Sequence, residues 1–548
     1  MLLKEALRVA HLLLLGGNAR LYHAKGYLLL MLHAHLPFVR HEGYERSFIE
    51  ENWLNEAILE TYIPMLRVFR NLKSENVPFK ITMSFTPTLS LMLVDPYLQD
   101  RFRQYLDNLI LLAQKETKRT VSDSHLNHLS KKYLDHFEDT KQVFEDLKGN
   151  LINGFLPFVE SGNLEVITSP ATHAFLPFYD SEPSILRSQL RNGRRTFKRI
   201  WGREPKGIWL SECGYFPKLE DYLDKEGFRF FFVDSHGITH ATPRPMFGVY
   251  APVEVGNGIF AFGRDQESSK QVWSAIDGYP GDLRYREYYR DIGHDLDFEY
   301  LKDHLPSSGI RVNTGIKYHR ITGKTAFKEW YQPDWAMEAC GNHASDFLYN
   351  RARQAEWLFK ENKQPAIIVS PYDAELFGHW WYEGPQFLEF LFKKMHFDQS
   401  VVKPILPLEA TRVLPRVQSV KMQMSSWGEN GYADVWLNGS NDWIYPHIHA
   451  LSIEMQAYAH RYQGAKGWQR RVLLQMGREL LLLQSSDWAF IMKTGTMVDY
   501  AVRRTNLHIN LFLRLKNMLD TGTCEEEVLD GTEAEHNAFP DIQVEDFC

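Results

Sequence analysis

The stretch Ala366-Ile367-Ile368-Val369-Ser370-Pro371-Tyr372-Asp373-Ala374-Glu375-Leu376-Phe377-Gly378-His379-Trp380-Trp381 decides the fold. Its first four residues carry no polar side chain, the pattern of a parallel strand covered on both faces. The strand then delivers two acids, a His and two adjacent Trp in quick succession, an odd way to build a plain loop. The acids are separated by one residue, so on an extended segment they share a face.

The same arrangement recurs along the chain. Tyr27–Leu32 is a short apolar run ending in His33, and Phe79–Phe85 is a strand stopped by Thr86-Pro87. Leu164–Thr168, Gly207–Leu210 and Phe228–Val233 follow, with weaker candidates at Gly258–Phe262 and Gly315–Tyr318. Between them lie helical patterns: Glu51–Leu72, which Pro64 should kink, then Leu98–Gln114, His125–Lys148, Ser184–Trp201, Asn342–Glu361 and Pro385–Lys394. Strand–helix alternation over most of the chain predicts a parallel α/β architecture, with a closed barrel as its form. The polar residues sit just after the strands, where barrel active sites lie. Beyond about Pro446 the pattern becomes helical, over Ile448–Arg461, Trp468–Gln484 and Val498–Leu519, and reads as a helical domain packed on the barrel.

Composition narrows the function. The 548 residues carry 62 Lys and Arg against 69 Asp and Glu, and 44% are hydrophobic, which excludes a disordered chain, a collagen-like fibre or a disulfide-stapled mini-protein. Nine of the acids fall between Glu525 and Cys548 with no Lys or Arg, so the body is almost neutral and offers no basic field for nucleic acid. That acidic stretch, 520–548, reads as a solvated, disordered tail. Four cysteines without CxxC spacing suit a reducing compartment, and no apolar run is long enough for a membrane helix. The first 25 residues, with Lys4, Arg8 and Leu12–Leu15, faintly resemble a signal peptide broken by His11, or an upstream extension; a cytoplasmic protein is expected. Aromatics reach 14%, enough for a large core and for flat platforms that suit ligands with C–H faces and hydroxyl rims, as sugars have.

Four strand ends could carry chemistry. His33-Ala34-His35-Leu36-Pro37 places two His at i and i+2, pointing the same way. From spacing alone they could bind a metal, contact sugar hydroxyls or a carboxylate, or hydrogen-bond buried polar groups. Trp209-Leu210-Ser211-Glu212-Cys213-Gly214-Tyr215 delivers a carboxylate flanked by Trp, Cys and Tyr, where desolvation would tune it. The third is the opening stretch with Asp373 and Glu375. The fourth is Ser425-Ser426-Trp427-Gly428-Glu429-Asn430-Gly431-Tyr432, continuing to Trp436-Leu437-Asn438, an aromatic-rich loop that either packs on the barrel rim or faces a ligand. One carboxylate after a middle strand and one after a late strand, ringed by aromatics, is what glycoside chemistry needs: one acid attacks the anomeric carbon or activates water, the other protonates the leaving oxygen.

These segments, together with Leu164–Thr168 and Thr172-His173, resemble the five signature regions of glycoside hydrolase family 57, in order, and the likeness runs from Gly26 to about Leu519. The resemblance implies a (β/α)7 barrel over 26–410 with inserted helical segments, a C-terminal helical domain over 411–519 that contributes to the cleft, and a retaining mechanism without metal or cofactor. It maps the nucleophile onto Glu212 and the general acid/base onto Asp373. His33, His35, His173, His379 and Trp380 then contact the substrate, and Arg264 is expected beside Glu212, holding it ionised. Within the family the chain most resembles the 1,4-α-glucan branching enzymes, through Gln271-Val272-Trp273-Ser274, Gly278-Tyr279-Pro280-Gly281-Asp282 and Ser486-Asp487-Trp488. That likeness places Trp273, Trp427, Trp436 and Asp487 on the acceptor side and implies an α-glucan as partner. Branching members carry a Tyr near the tip of a loop over the cleft; the matching loop here, His236–Phe247, contains none, the nearest being Tyr250. An α-amylase or 4-α-glucanotransferase on the same site therefore stays open, as does, more remotely, a metal-dependent carbohydrate deacetylase.

Overall fold

β1 (Gly26–Ala34) is the hub of the barrel, and its sequence explains why. Alternate residues sort into two separate apolar layers: Tyr27, Leu29 and Met31 pack inward with Trp209, Phe230, Phe232, Phe262, Ile367 and Val369, while Leu28, Leu30 and Leu32 join the outer layer beneath the helices. The computed structural model describes residues 24–42, 48–273, 278–306 and 309–548. Residues 1–23 of the N-terminal extension and Ser274 of the Gln271–Ser274 segment lie outside them.

β1 pairs in parallel with β2 (Ile81–Phe85) and β8 (Ala366–Asp373), and its first residues also pair with β9 (Val402–Pro404). β2 pairs with β3 (Leu164–Ile167), and a bridge from Thr168 to Ile208 carries the ring on to β4 (Gly207–Ile208). β5 (Phe230–Val233) and β7 (Ile259–Gly263) follow in parallel. The amide of Asp265, just after β7, donates to the Val369 carbonyl at 2.8 Å and closes the ring on β8. Seven parallel strands, β1-β2-β3-β4-β5-β7-β8, thus form the expected (β/α)7 barrel. β6 (Val253–Gly256) lies antiparallel to β7, with β10 (Gln418–Ser419) beside it.

Two local readings of the sequence change, and one is made specific. Gly315–Tyr318 is not a strand, because its first amides go to side chains: Gly315 donates to the Asp291 carboxylate at 2.8 Å and Ile316 to the Thr314 hydroxyl at 3.3 Å. At Pro64 the irregularity expected of a proline takes the form of a π-helical turn at Ile58–Tyr62, directly before Ile63–Ser74, and the backbone stays helical from one into the other.

The acidic stretch is not disordered. A helix spans Glu526–Glu535 and a short 3-10 turn spans Val544–Phe547. Leu529, Phe539, Ile542, Val544 and Phe547 are buried. Several of its nine acids pair with arginines elsewhere in the chain, Glu526, Asp530 and Glu533 with Arg471, Glu525 with Arg514, and Asp546 with Arg195. It packs on the C-terminal helices Ile444–Arg461, Gly467–Leu483 and Val498–Thr521 and on the barrel helix Pro183–Trp201. Among the described residues no helix is long and apolar enough to cross a membrane.

Candidate active site

Strand register sets the floor of the site. His33 on β1 lies level with Ser84 on β2 and with Asp373 on β8, all at strand C-termini. His33 and Asp373 open into a cleft of about 1570 Å³ that is also lined by His35, His173, Glu212, Arg264, Trp273, Glu375, His379, Trp380, Trp427, Trp436 and Asp487. The cleft therefore gathers every site residue expected from the sequence.

Glu212 follows β4 on a tight turn in which it and Cys213 adopt left-handed backbone conformations (φ 59° and 53°). A non-glycine pair in that region is held only where the surroundings over-determine it. Here the amide of Trp427 donates to the Glu212 carbonyl at 2.8 Å, and the Trp427 indole N–H donates to Glu212 Oε2 at 2.7 Å. Ser486 donates to Oε1 at 3.0 Å. Ser486 and Asp487 begin the helix Ser486–Thr494, so the helical domain supplies part of the site.

The hydrogen bonds behind Ser486 run in one direction. Ser486 gives its proton to Glu212, so His173 Nδ1, at 2.9 Å, must donate to Ser486 Oγ. Burial and the neighbouring His35 hold both His173 and His33 well below the usual histidine range, hence neutral. His173 Nε2 is then an acceptor for His33 Nε2–H at 3.0 Å, and His33 Nδ1 accepts from Ser84 at 2.6 Å. The tautomers assigned by this network line up four dipoles, Ser84, His33, His173 and Ser486, each pointing its proton toward the Glu212 carboxylate.

His35 differs from its neighbours. Burial opposes its charge, but Asp487, at 2.9 Å from Nε2, together with Glu212 and Glu375 raises its pKa; burial likewise opposes the Asp487 anion, but His35, His173 and the Ser485 hydroxyl together lower its pKa. Burial pushes Glu212 up to about 7, against the two hydrogen bonds it accepts. Asp373 lies well above the carboxylate range through burial first, then through the charges of Glu375 and Glu212. Glu375 is raised by burial and accepts hydrogen bonds from Tyr62, in the π turn, and from the His35 amide at 3.3 Å.

Several expected roles change. Arg264 does not reach Glu212: Asp234, just after β5, intercepts its guanidinium at 3.3 Å, and its field is felt at Asp373. His379 has both ring nitrogens taken, Nδ1 by Glu60 at 2.6 Å and Nε2 by Tyr288 at 3.1 Å. It supports Trp380, whose ring stacks on Tyr288 at 4.4 Å. Gly378 makes this turn possible: its φ is +117°, and a Cβ there would meet the Glu60 carbonyl oxygen at 1.8 Å. Trp436 is only 2% exposed and stacks on Phe175, so it is a wall; Trp273 and Trp380, at 43% and 52%, are open platforms.

Sequence reasoning did not single out Ser84, Ser486, Tyr62, Asp234, Glu60 or Tyr288 as site residues. Of these only Ser486 carried a local signal, beside Asp487. His35, His173 and Asp487 bring ligand atoms close enough together to hold a metal ion. The donor atoms are already engaged: His35 Nε2 bonds the Asp487 carboxylate, and both nitrogens of His173 serve the chain to Glu212.

The profile of glycosyl hydrolase family 57 matches residues 29–352, more than half of the chain. The chain belongs to glycosyl hydrolase family 57. The profile of the 1,4-alpha-glucan branching enzyme C-terminal region matches residues 447–547, which include the ordered acidic stretch. Among family 57 proteins, a 1,4-alpha-glucan branching enzyme of Thermococcus kodakarensis is 33% identical over 95% of this chain and 78% of its own length. The crystal structure of the alpha-amylase AmyC of Thermotoga maritima superimposes with a TM-score of 0.90 at 44% identity, covering 95% of this chain and 99% of that one. The family 57 branching enzyme of Pyrococcus horikoshii gives 0.85 at 32% identity, covering 95% and 97%.

Proposed function

We propose that this enzyme is a 1,4-α-glucan branching enzyme that cleaves an α-1,4 bond with retention and transfers the chain to a 6-hydroxyl. Glu212 is the nucleophile and Asp373 the general acid/base. The observation that carries these roles is the asymmetry of the two carboxyls. Glu212 receives two donors and the aligned chain behind Ser486, which favour its anion. Asp373 is buried in the field of two other carboxylates, which favours its proton. Asp373 protonates the departing glycosidic oxygen while Glu212 attacks the anomeric carbon; the ionised Asp373 then takes the proton of the incoming hydroxyl.

Transfer requires that a sugar, not water, meets the glycosyl-enzyme. The open faces of Trp273 and Trp380 can hold an acceptor chain, and the large cleft has room for one. Both family profiles and the branching-enzyme relatives support this reading. Hydrolysis is a second reading, favoured by two observations: the loop His236–Phe247 has no Tyr, and the Thermotoga structure is described as an alpha-amylase.

Proton NMR of amylose incubated with the protein tests it. New α-1,6 anomeric signals with few added reducing ends are expected. Reducing ends rising without α-1,6 signals would replace branching by hydrolysis, and redistributed chain lengths with neither change would mean 4-α-glucanotransfer.

A further inference from the structure

The ordered stretch Cys524–Cys548 lies across the seam between the barrel and the helical domain. One side of that seam is the barrel helix Pro183–Trp201, the other the helix Gly467–Leu483 that leads into Ser486 and Asp487. The seam reaches the active site directly. Gln189 on the barrel helix bonds Gln484 at 2.8 Å and both polar groups of Thr172, at 3.0 and 3.1 Å. Ala174 pairs with Ser485, and the Ser486 amide donates to the His173 carbonyl at 3.3 Å. Any loosening of the seam therefore moves Ser486 relative to Glu212 and Asp487 relative to His35.

The strap is fastened on both sides. On the barrel side, the fully buried Asp546 takes a two-pronged bond from Arg195 and a bond from Asn192 at 3.2 Å. On the domain side, the buried Glu479 carboxylate accepts from His536 of the strap at 2.8 Å and from His508 at 2.7 Å. Arg504 donates to His508 Nε2 at 3.2 Å, so the His508 proton sits on Nδ1 and the trio is a hydrogen-bonded lock, not a metal site. Arg40, five residues beyond His35, donates to the Ala534 carbonyl. Between these anchors Phe547 and Ile542 lie over Gly477, where an added Cβ would stand 2.8 Å from the Phe547 ring. The lining helix is notched to receive the strap.

We propose that Cys524–Cys548 is a positioning clasp for catalysis: it holds helix Gly467–Leu483 against the barrel so that Ser486 and Asp487 reach Glu212 and His35. Arg195, Asp546, Glu479 and His536 are its positioning residues. The clasp rests on the assignment of Glu212 above, and its test is chosen to fail separately.

In the full chain, Arg195→Asp and Asp546→Arg are compared with the double charge swap and with Arg514→Gln, which breaks a strap contact away from the seam. Arg195→Gln serves where reversal prevents folding. Each folded single variant should lose about tenfold in kcat on amylose with KM held within about twofold. The swap should recover to within about threefold of wild type, and Arg514→Gln should match wild type. Hydrogen exchange over 484–490 reads the same event without activity and should speed up about tenfold in the single variants. Unchanged exchange and kcat in the folded single variants would overturn the clasp. So would joint losses of kcat, KM and stability that the swap leaves uncorrected, which would mark a purely structural role. A wild type inactive on amylose would overturn the functional reading alone, since exchange still decides the clasp.

Discussion

Ser486→Ala removes the last donor of the chain to the nucleophile, and its effect is calculable. The serine hydroxyl lies 3.0 Å from Glu212 Oε1, and a hydrogen bond to a charged group contributes about 1.5 kcal/mol at the low end. One pKa unit corresponds to about 1.4 kcal/mol, so the loss should raise the Glu212 pKa by about one unit. The starting value is about 7. At pH 7 the ionised fraction then falls from about one half to about one tenth, a roughly fivefold loss in kcat/KM. The sign follows from the role: Glu212 must be ionised to attack, so rates rise as pH rises through its pKa, and a raised pKa moves that limb to higher pH. The deficit should approach about tenfold below pH 6 and shrink above pH 8. Initial rates of chain transfer on amylose from pH 5 to 9 read it. An unmoved limb with the same fractional loss at every pH would refute the argument and leave Ser486 as an orienting group only. Ser84→Ala, at the far end of the chain, should move the limb in the same direction by less.

Glu212→Gln and Asp373→Asn should each abolish turnover while amylose binding, read by affinity electrophoresis, survives; full activity in either variant contradicts the assignment. Glu212→Gln should also stabilise the protein at alkaline pH. The native pKa of Glu212 is raised from 4.5 to about 7, so ionisation in the fold costs stability that is absent below pH 4.5, grows between 4.5 and 7, and is complete above. That gives an upper estimate of about 3 kcal/mol, visible as a higher unfolding midpoint at pH 8 but not at pH 4. Exhaustive chelation should leave activity intact; loss restored by zinc would give the cluster His35, His173 and Asp487 a metal and revive the deacetylase reading, which rested on His33, His35 and a carboxylate. Trp380→Ala should raise KM with little change in melting temperature, whereas Trp436→Ala should cost about 3–5 kcal/mol of stability, measured by chemical denaturation.

What the sequence made legible was whatever is local. An apolar strand that ends in a functional residue is contiguous, so β1 with His33, β4 with Glu212 and β8 with Asp373 could be placed from residue order alone. The period-two sorting of β1 into inner and outer layers follows from the same local rule. What stayed hidden was pairing across the chain. Asp234 captures Arg264 from another strand end, and nothing in Gly263-Arg264-Asp265 announces it. Trp436 reads as a platform until Phe175, far away in sequence, covers its face.

The acidic stretch shows the same limit most sharply. Its net charge is a sum over one segment, and that sum ignores where the countercharges sit. Arg195, Arg471 and Arg514 lie outside it, and each meets one or more of its acids. With part of that charge paired, the buried Leu529, Phe539, Ile542, Val544 and Phe547 supply the apolar surface that makes ordering favourable. A segment whose composition alone argues for disorder is thereby folded by a body that sets arginines against its acids and offers a glycine notch at Gly477. The cost of disregarding such long-range complementarity falls on function as well as fold, because the helix under that strap is the one that delivers Ser486 to Glu212.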